Sequence, residues 1–393
     1  MSAVSLILIL AGIYLSGYVA YWAILLVNHF LSPQPSPAPG SLQTRFAIVV
    51  PAHNEELLLA RLLESARAQD YPRALFDVIV VADNCTDRTA AIAREHGATV
   101  LERIDETKRG KGYAIQWALE SIDLGKYDAV LIVDADCTIS TGALRCLDGS
   151  IREKGVVQCY NGVGNPDQSW FTRLLDVSRT VSNRIYGPAK QRLGLACELT
   201  GTGMCFSTRI LRTHRWDAFT VGEDWEYYAK LIQKGEAVGF EMNARILHEE
   251  SSSLRQATSQ RMRWSSGRFA VAWRYGFPLL VRGAAERNLT KFDAGLSLIL
   301  PNPSLGMNLT LLCLAGALFA LPAHRLALAS WFLLLALAQF GIFVAGVFYT
   351  QNRLSKLLAI FIAPAFLAWK MGIDALSLLG VGRKNWTRTE RKS

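Results

Sequence analysis

Charge is what this 393-residue chain has least of. Asp, Glu, Lys and Arg make up 19% of it, against 51% apolar residues, a balance unlike that of an ordinary soluble enzyme. No Lys, Arg, Asp or Glu occurs before His29. The seven cysteines, Cys85, Cys137, Cys146, Cys159, Cys197, Cys205 and Cys313, form no CxxC pair and no Cys/His cluster at zinc spacing. That argues against a structural zinc site and fits reduced, mostly buried thiols. No GxGxxG follows the first apolar strand, which argues against a dinucleotide site, and no P-loop signature occurs. The net charge of +9 reads as contact with anionic lipid and with a diphosphate rather than with nucleic acid.

Long apolar runs are present instead. Residues 5–30 are almost uninterrupted apolar residues, about the 20 needed to span a bilayer. A signal peptide would need a basic leader and a small-residue cleavage site, and neither is there. Residues 1–31 therefore read as an N-terminal transmembrane helix, followed by a proline-rich linker over 32–44. A second membrane region occupies 296–382. Within it, 305–321 and 326–349 are each long enough to cross. The run 357–379 carries Pro364, Lys370 and Asp374, each costly in lipid, and is expected to lie at the interface or to be re-entrant; a fourth crossing is the rival reading. The charge distribution places the N-terminus outside, with residues 45–250 and the basic tail 383–393 in the cytosol. The whole reads as an integral protein of the cell (inner) membrane.

Between these regions the pattern changes to strand and helix in alternation. Strands are expected at 46–50, 77–82, 98–102 and 129–133, and helices at 55–69, 86–96 and 112–122. This order indicates an α/β domain with a Rossmann-like, mostly parallel sheet over 45–250. Helices over 251–295 would lead to the membrane. On such sheets ligands bind beyond the carboxyl ends of the strands, where the polar residues sit: Pro51, His53, Asn54 and Glu55 after the first strand, Asp83 after the second, Asp134 and Asp136 after the fourth.

Asp134 and Asp136 alternate at a strand end, so both carboxylates point to one side. Two hard oxygen ligands suit Mg2+ or Mn2+ on a diphosphate; a solvated turn is the bland alternative. Asp83 can hold a base or ribose, or cap the next helix. Arg109 and Lys111 can contact a diphosphate or sit in a solvated loop. Glu223 and Asp224 open a helical run, where acids suit the helix dipole but also supply a general base for a hydroxyl. Gly201, Thr202 and Gly203 lack bulk and would let an acceptor approach. Gln260, Arg263 and Trp264 lie on a basic helix that suits phosphate and sugar contact or a membrane interface. His53 and His248 are lone histidines without metal spacing, and a structural role accounts for both; completing a metal shell is the alternative for His248.

In this order the motifs resemble the membrane-bound inverting glycosyltransferases of family two, the group that contains cellulose, chitin, hyaluronan and poly-N-acetylglucosamine synthases. The resemblance covers roughly residues 45–268. It implies a GT-A fold, a UDP-sugar donor, a metal at the Asp134/Asp136 pair, Asp83 at the nucleotide, Asp224 as catalytic base, and Gln260, Arg263 and Trp264 as a QxxRW motif on the acceptor side. The tail from Trp386 to Arg391 resembles a family tail motif. Two departures stand out: Gly222 replaces the Ser or Thr common before Glu-Asp, and the membrane region is short of helices for a polymer channel. The leading expectation is polysaccharide synthesis, with a homodimer or export partner. Transfer of one sugar to a lipid carrier or glycolipid is the alternative, and an inactive nucleotide-binding scaffold is the alternative of another class.

Overall fold

The computed structural model describes residues 3–31, 42–320 and 322–382. Most of the expected linker and the whole basic tail, including Trp386 and Arg388, lie outside the described residues.

Eight strands form one sheet: β1 (Phe46–Ala52), β2 (Phe76–Asp83), β3 (Thr99–Arg103), β4 (Ala129–Ile132), β5 (Cys137–Ile139), β6 (Val156–Val163), β7 (Met204–Ser207) and β8 (Gly239–His248). Their spatial order is β3-β2-β1-β4-β7-β6-β8-β5. The first half is parallel as expected: β1 pairs with β2 and β4, and β2 with β3. The second half is mixed. β7 runs antiparallel to both β4 and β6, and β5 antiparallel to β8, so the sheet is not doubly wound throughout.

Both faces of the sheet are covered. Ala114, Ile115 and Ala118 from one helix and Tyr227, Tyr228 and Leu231 from another pack on one side. Leu59, Leu62 and Leu63 with Leu144, Leu147 and Ile151 pack on the other. That explains why β1 reads as a continuous apolar run. Two helices are shorter than their sequence pattern. The run 55–69 is helical only over Leu59–Arg67, because the preceding residues form a turn in which Leu58 and Leu59 N–H both donate to Glu55 O. The run 86–96 is helical over Thr89–Glu95, and Asp87, not Asp83, accepts from Thr89 N–H at 2.9 Å. The capping alternative for Asp83 is thereby removed.

Two helices, Ala3–Leu31 and Pro322–Val347, are long and apolar enough to cross a membrane, each with mean hydropathy 2.1. The segment 305–321, expected as a crossing of its own, begins in a 15-residue helix, Pro303–Ala317, whose rise of about 22 Å is shorter than a hydrocarbon core of about 30 Å, and it is long enough for a span only together with Leu289–Ile299. This helix is bent by 63° from Leu289–Ile299. Pro301 and Pro303 at the break have no N–H to continue the ladder. The ambiguous 357–379 run is likewise a bent pair, Arg353–Ile360 and Ala363–Leu378, at 63°. Each pair is a broken span or a re-entrant loop.

A buried ion pair fixes the sheet domain to these helices. Lys190 has no solvent exposure. Its Nζ lies 2.8 Å from Asp293 Oδ2 and donates to Ser297 Oγ at 2.9 Å. Tyr21 of the N-terminal helix donates to Asp293 Oδ1 at 2.8 Å. Lys190→Met strands the Asp293 charge and is expected to lower stability by about 3–5 kcal/mol, whereas Lys190→Met with Asp293→Leu recovers most of it. Thermal unfolding of detergent-purified protein measures both; equal midpoints for the single and double variants would show that the charge pair is not what holds this junction.

Candidate active site

Because β2, β1 and β4 are adjacent and parallel, their carboxyl ends lie side by side. There His53 Nδ1 is 2.7 Å from Asp83 O. Asp83 is buried and its Oδ1 accepts from Arg103 Nη1 at 2.6 Å and from Asn84 Nδ2 at 3.0 Å. Burial pushes its carboxyl upward, against the opposing pull of Arg103. Asn54 takes a different place. Its Oδ1 accepts from Thr86 N–H at 2.8 Å, so its side chain ties the β1 and β2 loops together and does not line the cavity.

A cavity of about 660 Å³ opens from this point. Pro51, His53, Glu55, Asp83, Lys111, Asp134, Asp136, Gly201, Glu223, Asp224, Gln260, Arg263 and Trp264 all line it. Thr202 and Gly203 do not. Thr202 Oγ1 accepts from Asp134 N–H at 3.0 Å and braces the acidic turn; Gly203 packs against Ile246 and Cys159.

Lys111 is the hub of the polar floor. Its Nζ lies 2.5 Å from Asp134 Oδ1, 3.6 Å from Glu223 Oε1 and 2.5 Å from Gly201 O. Burial disfavours its charge, but Asp134 and Glu223 outweigh that and raise its pKa. Glu223 and Asp224 begin the Glu223–Gln233 helix. Burial raises both carboxyls, and the Glu223 charge pushes Asp224 further, well above the ordinary carboxylate range. A carboxyl tuned this way suits a general base near neutral pH. Gly201 leaves the space in front of it open. Its φ is +82°, and a Cβ there would lie 3.4 Å from Asp224 Oδ2.

Asp136 meets a different partner. Its Oδ1 is 3.3 Å from His248 Nδ1, and these atoms with Cys137 Sγ lie within 4.8 Å of one another. This geometry favours the metal-shell alternative for His248 over a purely structural role. The reason is non-local: β5 pairs antiparallel with β8 and sets Cys137 opposite His248. Burial pushes the Cys137 thiol up, which keeps it protonated. A carboxylate and an imidazole remain, a donor set that fits a divalent ion and suits Mn2+ better than the all-oxygen preference of Mg2+.

The Leu254–Val271 helix closes one wall. Trp264 lies 6.4 Å from the His248 ring, with the Arg261 guanidinium 4.6 Å from its own ring centre. Arg261 and Arg179 share Glu250, at 2.5 and 3.7 Å. Despite burial, which would raise it, these arginines and His248 hold the Glu250 carboxyl down at about 2. Gly222 gains an explanation here. A Cβ at Gly267 would lie 2.9 Å from Gly222 N and 3.1 Å from Gly222 Cα, so the helix carrying Gln260, Arg263 and Trp264 meets the Glu223 helix glycine to glycine. Several cavity residues had no local sequence signal: Gln158, Asn161, Arg179, Asn183 and Glu198. Gln158 and Asn161 come from β6, Arg179 and Asn183 from the helical run that follows it, and Glu198 from the loop before β7.

The match to known proteins agrees with this geometry. The family described as "Glycosyltransferase like family 2" matches residues 43–267, more than half of the chain. The chain belongs to glycosyltransferase family 2. Probable glycosyltransferase YdaM of Bacillus subtilis (strain 168) is 22% identical over 241 residues, covering 59% of this chain and 57% of that protein. The 4,4'-diaponeurosporenoate glycosyltransferase of Staphylococcus aureus (strain USA300) is 40% identical over 92 residues, 23% of this chain and 24% of that protein. The chain thus spans less than two thirds of either relative. The mannosyltransferase PcManGT from Pyrobaculum calidifontis, solved in complex with GDP-Man and Mn2+, has a TM-score of 0.54 at 19% identity, covering 90% of this chain and 98% of that one. That likeness is one of fold, and the family 2 domain here is GT-A-like.

A base with a raised pKa works only once deprotonated, so turnover is expected to climb as pH rises through neutrality. Glu223→Gln removes a negative neighbour and should move that climb to lower pH. Asp224→Asn should cut turnover by roughly 10²-fold or more. It should not lower the thermal midpoint at neutral pH, because a carboxyl whose pKa is raised by folding opposes folding above its unfolded value. Initial rates and unfolding curves across pH check both. A Glu223→Gln profile that coincides with the wild type would remove Glu223 as the tuning charge.

Proposed function

We propose that this family 2 enzyme transfers one sugar from a nucleoside diphosphate donor, a UDP-sugar by family resemblance, to a hydroxyl of an amphiphile held in the membrane. One observation carries the choice of acceptor. The cavity that holds Asp83, Lys111, Asp134 and Asp224 continues without a break to Met307, Phe340, Phe343, Phe366 and Trp369 on the apolar helices. A polar floor joined to an apolar wall fits a molecule with a hydroxylated head and a hydrocarbon body. The polymer reading would need a channel for a hydrated chain; these helices add Asn302, Ser304, Gln339 and Lys370 to the lining, set among the apolar side chains. Family membership favours the enzyme reading over the inactive scaffold.

In this reading the nucleotide lies by His53 and Asp83, and its diphosphate reaches toward Lys111 and Arg263. The acceptor hydroxyl enters past Gly201 and gives its proton to Asp224. Its oxygen forms the new bond to the anomeric carbon as the bond to the diphosphate breaks, with inversion. Lys111 and Arg263 offset charge on the departing diphosphate. Asp136 and His248, with Asp134 nearby, would hold a divalent ion, which supplies Lewis-acid stabilisation of that leaving group. The catalytic domain faces the cytosol, where nucleotide sugars are made, and the basic residues after the first span support that side.

Purified enzyme in detergent is offered labelled UDP-sugars, Mn2+ and a membrane lipid extract. The expected product partitions into organic solvent and is heavier than its acceptor by one sugar residue. Aqueous product of broad size distribution would return the chain to polysaccharide synthesis. Excess chelator is expected to abolish turnover, with Mn2+ restoring more than Mg2+, and Asp136→Asn should lose most activity while its unfolding curve stays close to wild type. Full turnover in chelator would end the metal assignment and leave the acceptor assignment standing.

A further inference from the structure

A second cluster lies outside the cavity, where the two long apolar helices end. His29 near the end of Ala3–Leu31 and Tyr349 just after Pro322–Val347 meet at 2.7 Å between Nε2 and the hydroxyl. The two helix ends are therefore at one level, with an imidazole and a phenol where a headgroup layer would be. Against them lies the segment of the GT-A domain that carries Arg184 and Arg192. Arg192 Nε donates to Asn28 Oδ1 at 3.1 Å. Its Nη1 and Nη2 are enclosed and have no hydrogen-bond partner among the described residues. Arg184 and Arg245 flank the Tyr160 ring at 5.9 and 5.3 Å, and Arg184 Nη1 meets the soft Met242 sulfur at 3.5 Å.

Three enclosed lysines behave differently. Lys111, Lys190 and Lys356 each hold a carboxylate within 3.0 Å. Arg184 and Arg192 hold none among the described residues; burial pushes both guanidinium pKa values down, and Arg245 pushes Arg184 further against a weaker opposing pull of Tyr160 and Tyr349. Arginine keeps its charge regardless. An enclosed fork of N–H donors without an acceptor implies that an anion arrives from outside. Beside this fork the surface is apolar: Phe30, Leu31 and Phe348 are 64%, 77% and 63% exposed. Cations next to bare hydrocarbon-facing side chains match a phosphate that carries acyl chains.

We propose that Arg192 and Arg184, with Arg245, bind the headgroup phosphate of an anionic phospholipid at the membrane rim of the enzyme. The Arg192 fork takes two phosphate oxygens, Arg184 adds charge, and the acyl chains lie along Phe30, Leu31 and Phe348. The site is separate from the sugar-transfer cavity, whose wall includes Ser182, Asn183 and Tyr186 but not Arg184 or Arg192. It rests on the chain being membrane-bound and not on which acceptor it glycosylates.

Native mass spectrometry of the full-length protein in detergent, titrated with phosphatidylglycerol or phosphatidylcholine, tests this. Wild-type protein is expected to retain phosphatidylglycerol in preference to phosphatidylcholine. Arg184→Gln with Arg192→Gln should weaken phosphatidylglycerol retention by about fivefold per arginine, with sugar transfer in detergent unchanged. Equal retention of the two lipids by the wild type overturns the proposal, and that comparison needs no variant to fold. Undiminished phosphatidylglycerol binding in the double variant overturns the assignment to these arginines. Displacement of the lipid by an equal concentration of inorganic phosphate would identify a soluble anion as the true ligand and overturn the lipid.

Discussion

The active site depends on one ammonium group. Lys111 Nζ touches Asp134, Glu223 and the Gly201 carbonyl, and these come from three separate parts of the chain. Without it, Asp134, Glu223 and Asp224 would share a confined space as uncompensated negative charges, and at least one would take up a proton. The lysine lets the acidic turn and the candidate base share one cavity, with Asp224 still pushed well above the ordinary carboxylate range. In the proposed mechanism a divalent cation would link these acids to the donor's diphosphate, and Asp136 with His248 would offer it a seat.

The parallel half of the sheet was legible because burial on both faces leaves a plain signature. The segments 46–50, 77–82 and 129–133 are apolar and β-branched, and each lies within or across an observed strand. The mixed half was hidden for the converse reason. β6 is buried throughout, yet carries Gln158 and Asn161. Gln158 holds the loop before β7, donating to Thr202 O at 2.9 Å and accepting from Thr200 N–H at 3.0 Å. Such residues look like loop composition until their partners are known. The same limit kept the metal role of His248 a minor alternative: its nearness to Asp136 is a property of strand pairing, which no local spacing encodes. The membrane breaks were more accessible. Pro301 and Pro303 mark one of them, and the polar residues Lys370 and Asp374, which pair within the helix, warned against a simple crossing.

Gly222 and Gly267 illustrate how a departure from a sequence pattern acquires a physical cause. Where relatives in the synthase group carry a hydroxyl residue, this chain removes the side chain and brings two helices into backbone contact. Trp225 then fills part of the freed volume, with the Arg268 guanidinium 5.7 Å from its ring centre. The helix that carries Trp264 therefore lies closer to the Glu223 helix than a side chain at 222 would permit.

The buried Lys190 pair has a consequence for how the protein is made. The chain leaves the ribosome from its N-terminus, so Lys190 emerges well before Asp293 and Ser297. Until the later helices pack onto the sheet domain, the ammonium group lacks the Asp293 carboxylate and one wall of the cavity is missing. Docking of the final helices thus completes the enzyme's interior, and a chain truncated before them would display an unpaired lysine and raw apolar surface to the cell's quality-control proteases.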